Sequence, residues 1–331
     1  MTIPFQRYLL ALALAGALGG CSRDPYHRQE NIVENARMDL ISDAPYLFPA
    51  NKTADAPTTY LSLRRWDIIF TGAIKPDPAK PELAVVDALI PGDFNHILVY
   101  LGKDEDGFAY AAELNTDNIA IVDQVIQVDG GIRLLALSRD FGVDPQPSGQ
   151  HLLDRSYYLT RWAKTFREEE RGKLVAADES LAQTVQDHVL ARLPYQLEFS
   201  IPLKYILLSR NVRLIDDGLA HGAGCADYWT TIFEDVAGLC LRGVRARASE
   251  IVDYYQNDPV GRDAALPPQW NPIGTGSLRI RQALALGFDV KEDPPHHFRC
   301  GGQDESGLVL PDRIYRSEAL TDIAEIAVAA E

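Results

Sequence analysis

The chain has 331 residues, of which 47 are acidic and 32 basic, giving a formal net charge of -15 at neutral pH. A body this acidic repels phosphate backbones and anionic surfaces, which argues against nucleic acid as a partner. With 46% hydrophobic residues it can still bury a large core, and its length accommodates one or two domains. At the N-terminus Arg7 precedes an apolar run from Tyr8 to Leu18, and small residues then lead to Cys21. The run is too short to span a bilayer as a permanent helix and reads as an export signal.

Leu18-Gly19-Gly20-Cys21 resembles the lipobox of bacterial lipoproteins. That resemblance implies removal of residues 1–20 and a lipid anchor on Cys21; the plainer alternative is an ordinary signal peptide with a chance cysteine. Ser22 follows where an aspartate would resemble a signal for inner-membrane retention, so an outer-membrane anchor facing the periplasm is expected. Residues 21–60 are polar and proline-interrupted and read as a tether, with a short helix near Asn31 to Ile41. One domain is then expected over 61–331.

Within it, Trp66-Asp67-Ile68-Ile69-Phe70 is a β-type run ended by Thr71-Gly72, and residues from about 74 to 93 read as an insertion carrying a short helix. HILVYLG (96–102) and FAYAAEL (108–114) flank KDED, with Asp106-Gly107 at the far side, a hairpin signal. IAIVDQVIQV and GIRLLALS are further strands, with a turn at Asp129-Gly130. From Asp154 to Leu193 the composition is helical, broken near Gly172, with Ser180 as cap of a second helix whose Leu181, Val185, Val189 and Leu193 recur at four-residue spacing. The last third mixes Pro/Gly-rich loops with short helices such as LRIRQALAL and SEALTDIAEIAVAA. Helices and strands fall in separate blocks, so the fold class is α+β.

HGAGCADYWTTIFEDV delivers Cys225 through a glycine-rich approach to the first turn of a helix, marked by the apolar stripe Trp229, Ile232, Phe233, Val236 and Cys240. Peptide dipoles at a helix start favour an anion, the setting in which a thiol becomes reactive. The plainer reading is a structural cysteine or half of a disulfide. Three cysteines remain after Cys21. A Cys240 to Cys300 pair leaves Cys225 free; any pairing that includes Cys225 removes the nucleophile.

If the hairpin loop is centred between Asp104 and Glu105, His96 falls directly opposite Glu113. Their Cβ atoms would then lie about 4.5–5.5 Å apart, and the carboxylate could orient the imidazole. A thiol nucleophile needs an imidazole to take its proton, and the imidazole needs a third group to hold its tautomer. Cys225, His96 and Glu113 supply those roles, although a one-residue slip of the loop would undo the pairing. His221 ranks second as a base, since Gly-Ala-Gly separates it from the cysteine. His296, His297 and Cys300 have the look of zinc ligands but lack a second cluster, so neither a metal nor another cofactor is expected.

DFNHILVYLG, then AYAAEL, and much later LPYQLEF and GAGCADYWTTIF, resemble the circularly permuted, YiiX-like branch of the NlpC-type papain-like cysteine hydrolases, in which the histidine hairpin precedes the cysteine helix. The resemblance covers roughly residues 60 to 240, with a looser echo in VLPDRIYRS, and WDIIF stands where the family opens on Gly-Asp-Ile-Ile, with Trp66 for the glycine. It implies a papain-like antiparallel sheet or partial barrel packed against helices, with Cys225 as nucleophile, His96 as base and Glu113 as the polar third member. Tyr195, in Pro194-Tyr195, would help hold the oxyanion; a core aromatic is the alternative. The implied activity is that of a lipid-anchored periplasmic cysteine hydrolase that cleaves peptide or isopeptide amides through an acyl-enzyme, with peptidoglycan stem peptides as the nearest substrate. The alternatives are an acyltransferase or deacylase acting on lipids or N-acyl groups, and a non-catalytic envelope lipoprotein. Ala226-Asp227, Gln196 and insertions near 74–93 and 143–180 depart from the family pattern.

Overall fold

The computed structural model describes residues 38–50, 59–74, 92–94, 96–122, 125–136, 158–193, 225–247, 249–250, 253 and 308–325. A 3₁₀ turn (Met38–Leu40) leads into β1 (Tyr46–Ala50), which pairs with β2 (Thr59–Leu63) in a two-stranded antiparallel sheet. β3 (Ile68–Ile74), β4 (His96–Lys103), β5 (Ala109–Val122), β6 (Val125–Ala136), β7 (Tyr158–Phe166) and β10 (Leu320–Glu325) form the main sheet, in the order β10-β7-β3-β4-β5-β6. Every neighbouring pair in it is antiparallel. The helices α1 (Glu168–Ala176), α2 (Asp178–Ala191), α3 (Cys225–Ala237) and α4 (Pro311–Tyr315), with the short antiparallel pair β8 (Arg245–Ala246) and β9 (Leu308–Val309), complete the described elements. The architecture is α+β.

At the centre of the sheet side chains on both faces are buried, which is why its central strands read as almost unbroken apolar runs. Ile68, Phe70, Ile97, Val99, Leu101, Ala112, Leu114, Ile132 and Leu134 join one core with the aromatic stripe of α3. The alternate set, Ile69, Leu98, Tyr100, Ala111, Leu135 and Ala163, is equally buried.

Several expectations are corrected. Residues 38–50, read as tether, belong to the domain: Met38 enters the core, Ser42 bridges to Lys103, and Tyr100 donates its hydroxyl hydrogen to the Ala44 carbonyl at 2.7 Å. The helical reading from Asp154 fails at β7, because Phe166 and Ala163 are buried in a strand seated between β3 and β10, so tertiary pairing overrides composition. Residues 158–166 of the second expected insertion are thus an inner strand. α1 runs through Gly172 and ends at Ala176, and Ser180 lies inside α2, where its carbonyl accepts from the Thr184 hydroxyl at 2.8 Å. Asp129-Gly130 is no turn: both lie within β6, at a register shift against Thr116 and Asn118, and the chain reverses after Val122. LTDIAE of the expected last helix is β10, which completes the sheet edge beside β7.

The β4–β5 register also differs from expectation. Val99 faces Ala112 where the centred loop predicts Tyr110, and Lys103 faces Ala109 where it predicts Asp106. Asp104 widens the loop: its backbone N–H donates to the Phe108 carbonyl at 3.0 Å, and its carboxylate accepts from the Phe108 N–H and the Tyr110 hydroxyl. The displacement is therefore three residues at the loop and two beyond the irregularity between Tyr100 and Gly102. Gly102, at φ 131° and hard against the Ser42 carbonyl, is where the extra residue is absorbed. Because side chains alternate with period two, a net displacement of two keeps His96 and Glu113 on one face, now as diagonal rather than direct neighbours.

Candidate active site

Cys225 is the first residue of α3, where the helix start presents unpaired N–H donors. The helix is anchored by Tyr228, Trp229, Ile232 and Phe233, all buried; the Trp229 and Phe233 rings are 5.8 Å apart, and Phe233 meets Phe166 of β7 edge-on at 5.2 Å. Deleting one such aromatic costs about 3–5 kcal/mol, so the position of the helix start is firmly held. Arg245 adds a clamp from the C-terminal third, with its guanidinium 3.6 Å from Asp227 and 3.7 Å from Glu234. Cys225 is a free, buried thiol. Cys240 is disulfide-bonded, and its expected partner Cys300 lies outside the described residues.

His96 opens β4, and the approach to it is braced. A Cβ at Gly72 would collide with the Asp93 carbonyl, so the glycine lets the incoming chain lie against β3. The Asp93 N–H donates to Asp312 Oδ1 of α4 at 3.1 Å, and the Phe94 ring packs 4.4 Å from Tyr315 and 5.6 Å from Phe70. The PDRIY segment, weakly informative as sequence, thus sets where the histidine begins.

His96 Nε2 lies 2.8 Å from Glu113 Oε2, and Glu113 Oε1 accepts from Arg133 Nε at the same distance. The thiol of Cys225 is a further hydrogen-bonding partner of the imidazole. Glu113 is fully buried, and Cys225, His96 and Arg133 are each no more than 7% exposed. Burial opposes a charged ring at His96. The Cys225 sulfur and the Glu113 carboxylate outweigh it, through charge and hydrogen bonding, and push the His96 pKa up to about 10. A strongly basic imidazole between a thiol and an ionised carboxylate can take the proton from sulfur and hold it for a leaving group.

Arg133 is the member that sequence reasoning missed. It stands directly opposite Glu113 in the β5–β6 register. The available signal was an arginine inside the apolar run GIRLLALS, which needs a partner if that strand is buried. The structure brings together Cys225, His96 and Glu113; Tyr195, Cys21, His221, His296 and His297 lie outside the described residues. Among the described residues no group of three or more His, Cys, Asp or Glu side chains is disposed to hold a metal ion, and no helix is long and apolar enough to cross a membrane. No family model, curated protein or solved structure matches the chain.

Proposed function

We propose that the protein is a cysteine hydrolase of the permuted NlpC-type, papain-like kind, acting on amide bonds through a thioester acyl-enzyme. The observation that carries this reading is a free thiol at a helix start, coupled to a histidine that Glu113 and Arg133 hold in place. In the reaction Cys225 gives its proton to His96, and its sulfur attacks the amide carbon. The carbonyl electrons move to oxygen, where the backbone N–H of Cys225, at the helix start, is placed to receive the developing charge. Collapse breaks the C–N bond as the imidazolium of His96 protonates the departing amine. Water, deprotonated by the same ring, then hydrolyses the thioester and regenerates the thiol. Tyr195 would supply a second oxyanion donor.

Support for the family comes also from Trp66. Its backbone lies at φ 73°, a conformation that costs an ordinary residue about 1–2 kcal/mol and glycine almost nothing, at the position where the family carries glycine. Here the buried indole offsets that cost, donating from Nε1 to Asp178 Oδ1 at 2.7 Å beneath the Arg65 guanidinium. The substrate follows from the expected address: a lipid-anchored enzyme facing the periplasm meets the stem peptides of peptidoglycan. Incubation of wild type and Cys225→Ala with muropeptides tests this. Wild type should release cleaved stem peptides and the variant none; equal products from both, or none from folded wild type, would overturn the reading.

A further inference from the structure

Two buried hydroxyls among the described residues, those of Thr71 and Thr230, meet no hydrogen-bond partner. Thr230 lies within α3, away from its start. Thr71 is directly opposite His96 in the β3–β4 register, so the two side chains leave the same face on adjacent strands, and Thr71 is only 2% exposed. A buried hydroxyl without a partner is costly and uncommon in folded proteins. Its neighbours on that row are all engaged: His96 with Glu113 and Cys225, and Glu113 with Arg133. The unpartnered Thr71 hydroxyl therefore lies beside the ring that transfers the proton.

We propose that Thr71 is a substrate-binding residue, whose hydroxyl bonds to a polar group on the leaving-group half of the amide. This rests on the hydrolase reading above. Since His96 must protonate the departing nitrogen, that half of the substrate lies against its ring, within the reach of the next strand. A peptide-like leaving group, with an N–H or C=O one bond from the scissile nitrogen, satisfies Thr71; a plain arylamine does not. Thr71 thus selects peptides over simple anilides.

Thr71→Val keeps the side-chain shape and removes the hydroxyl; Thr71→Ser keeps the hydroxyl. In Thr71→Val, kcat/KM on muropeptides should fall about ten- to a hundredfold, while the melting temperature and the rate of Cys225 alkylation by iodoacetamide stay at wild-type values. Thr71→Ser should recover most of the activity. Wild-type turnover in Thr71→Val, or a lowered melting temperature showing that the hydroxyl holds the fold together, would overturn the inference and leave the hydrolase reading standing. A wild type that cleaves no muropeptide overturns both.

Discussion

Asp67 at the head of β3 and Glu113 in β5 are both fully buried carboxylates, and each faces an arginine. Asp67 is closed on the protein. Its oxygens accept from the Thr165 hydroxyl and the Arg64 N–H, both at 2.6 Å, and Arg171 lies 3.1 Å away while also donating to the Arg65 carbonyl. Burial raises the Asp67 pKa against the pull of Arg171. Every one of these partners is structural, and together they tie β3 to β7 and α1. Glu113 has the same arginine anchor on one oxygen, but its other oxygen holds an imidazole whose next partner is a thiol. Buried ion pairs of equal quality can thus serve different ends, and the difference lies in where the hydrogen-bond chain stops.

That contrast can be broken experimentally. The largest effect is expected from Glu113→Gln, which should lower turnover per folded molecule by about 10²–10⁴-fold, because the imidazolium loses its counter-charge. Steady-state kinetics on the folded fraction, measured beside an unfolding curve, would show it. Asp67→Asn should cost about 3–5 kcal/mol of stability by leaving Arg171 buried and uncompensated, yet leave the proposed turnover per folded molecule unchanged. A matching fall in kcat there would erase the distinction between the two carboxylates. A smaller effect is expected from pH. The folded pKa of His96, about 10, exceeds its ordinary 6.5, so its contribution to stability is complete below about 6.5 and is lost as pH rises through about 10. The difference in urea-unfolding free energy between wild type and His96→Gln should be flat in acid and shrink steadily through that alkaline range.

Much of the site was legible because its residue types are demanding. A cysteine after Gly-Ala-Gly at a helix start and a histidine and a glutamate on two arms of one hairpin have few uses in common. The pairing survived a wrong register because the loop error of three residues is cut to two at Gly102, and an even displacement preserves the face. Arg133 escaped notice for a related reason. Asp129-Gly130 has strong turn chemistry, but long-range pairing with β5 absorbs it at a register shift within the ladder, and only that continued pairing sets Arg133 against Glu113. β7 was hidden by the charged stretch FREEERGK that follows it, and its place between β3 and β10 depends on neighbours far away in sequence. Similarly, PDRIY acquires meaning only where Asp312 and Tyr315 meet the chain entering His96.

The proposed partnership of Cys225 and His96 is tested most directly by alkylation of the folded protein with iodoacetamide at neutral pH, read by intact mass and peptide mapping. Wild type is expected to take a single adduct on Cys225, more slowly in His96→Gln and not at all in Cys225→Ala. A folded wild-type protein whose Cys225 stays unmodified, or reacts no faster than in His96→Gln, would contradict it.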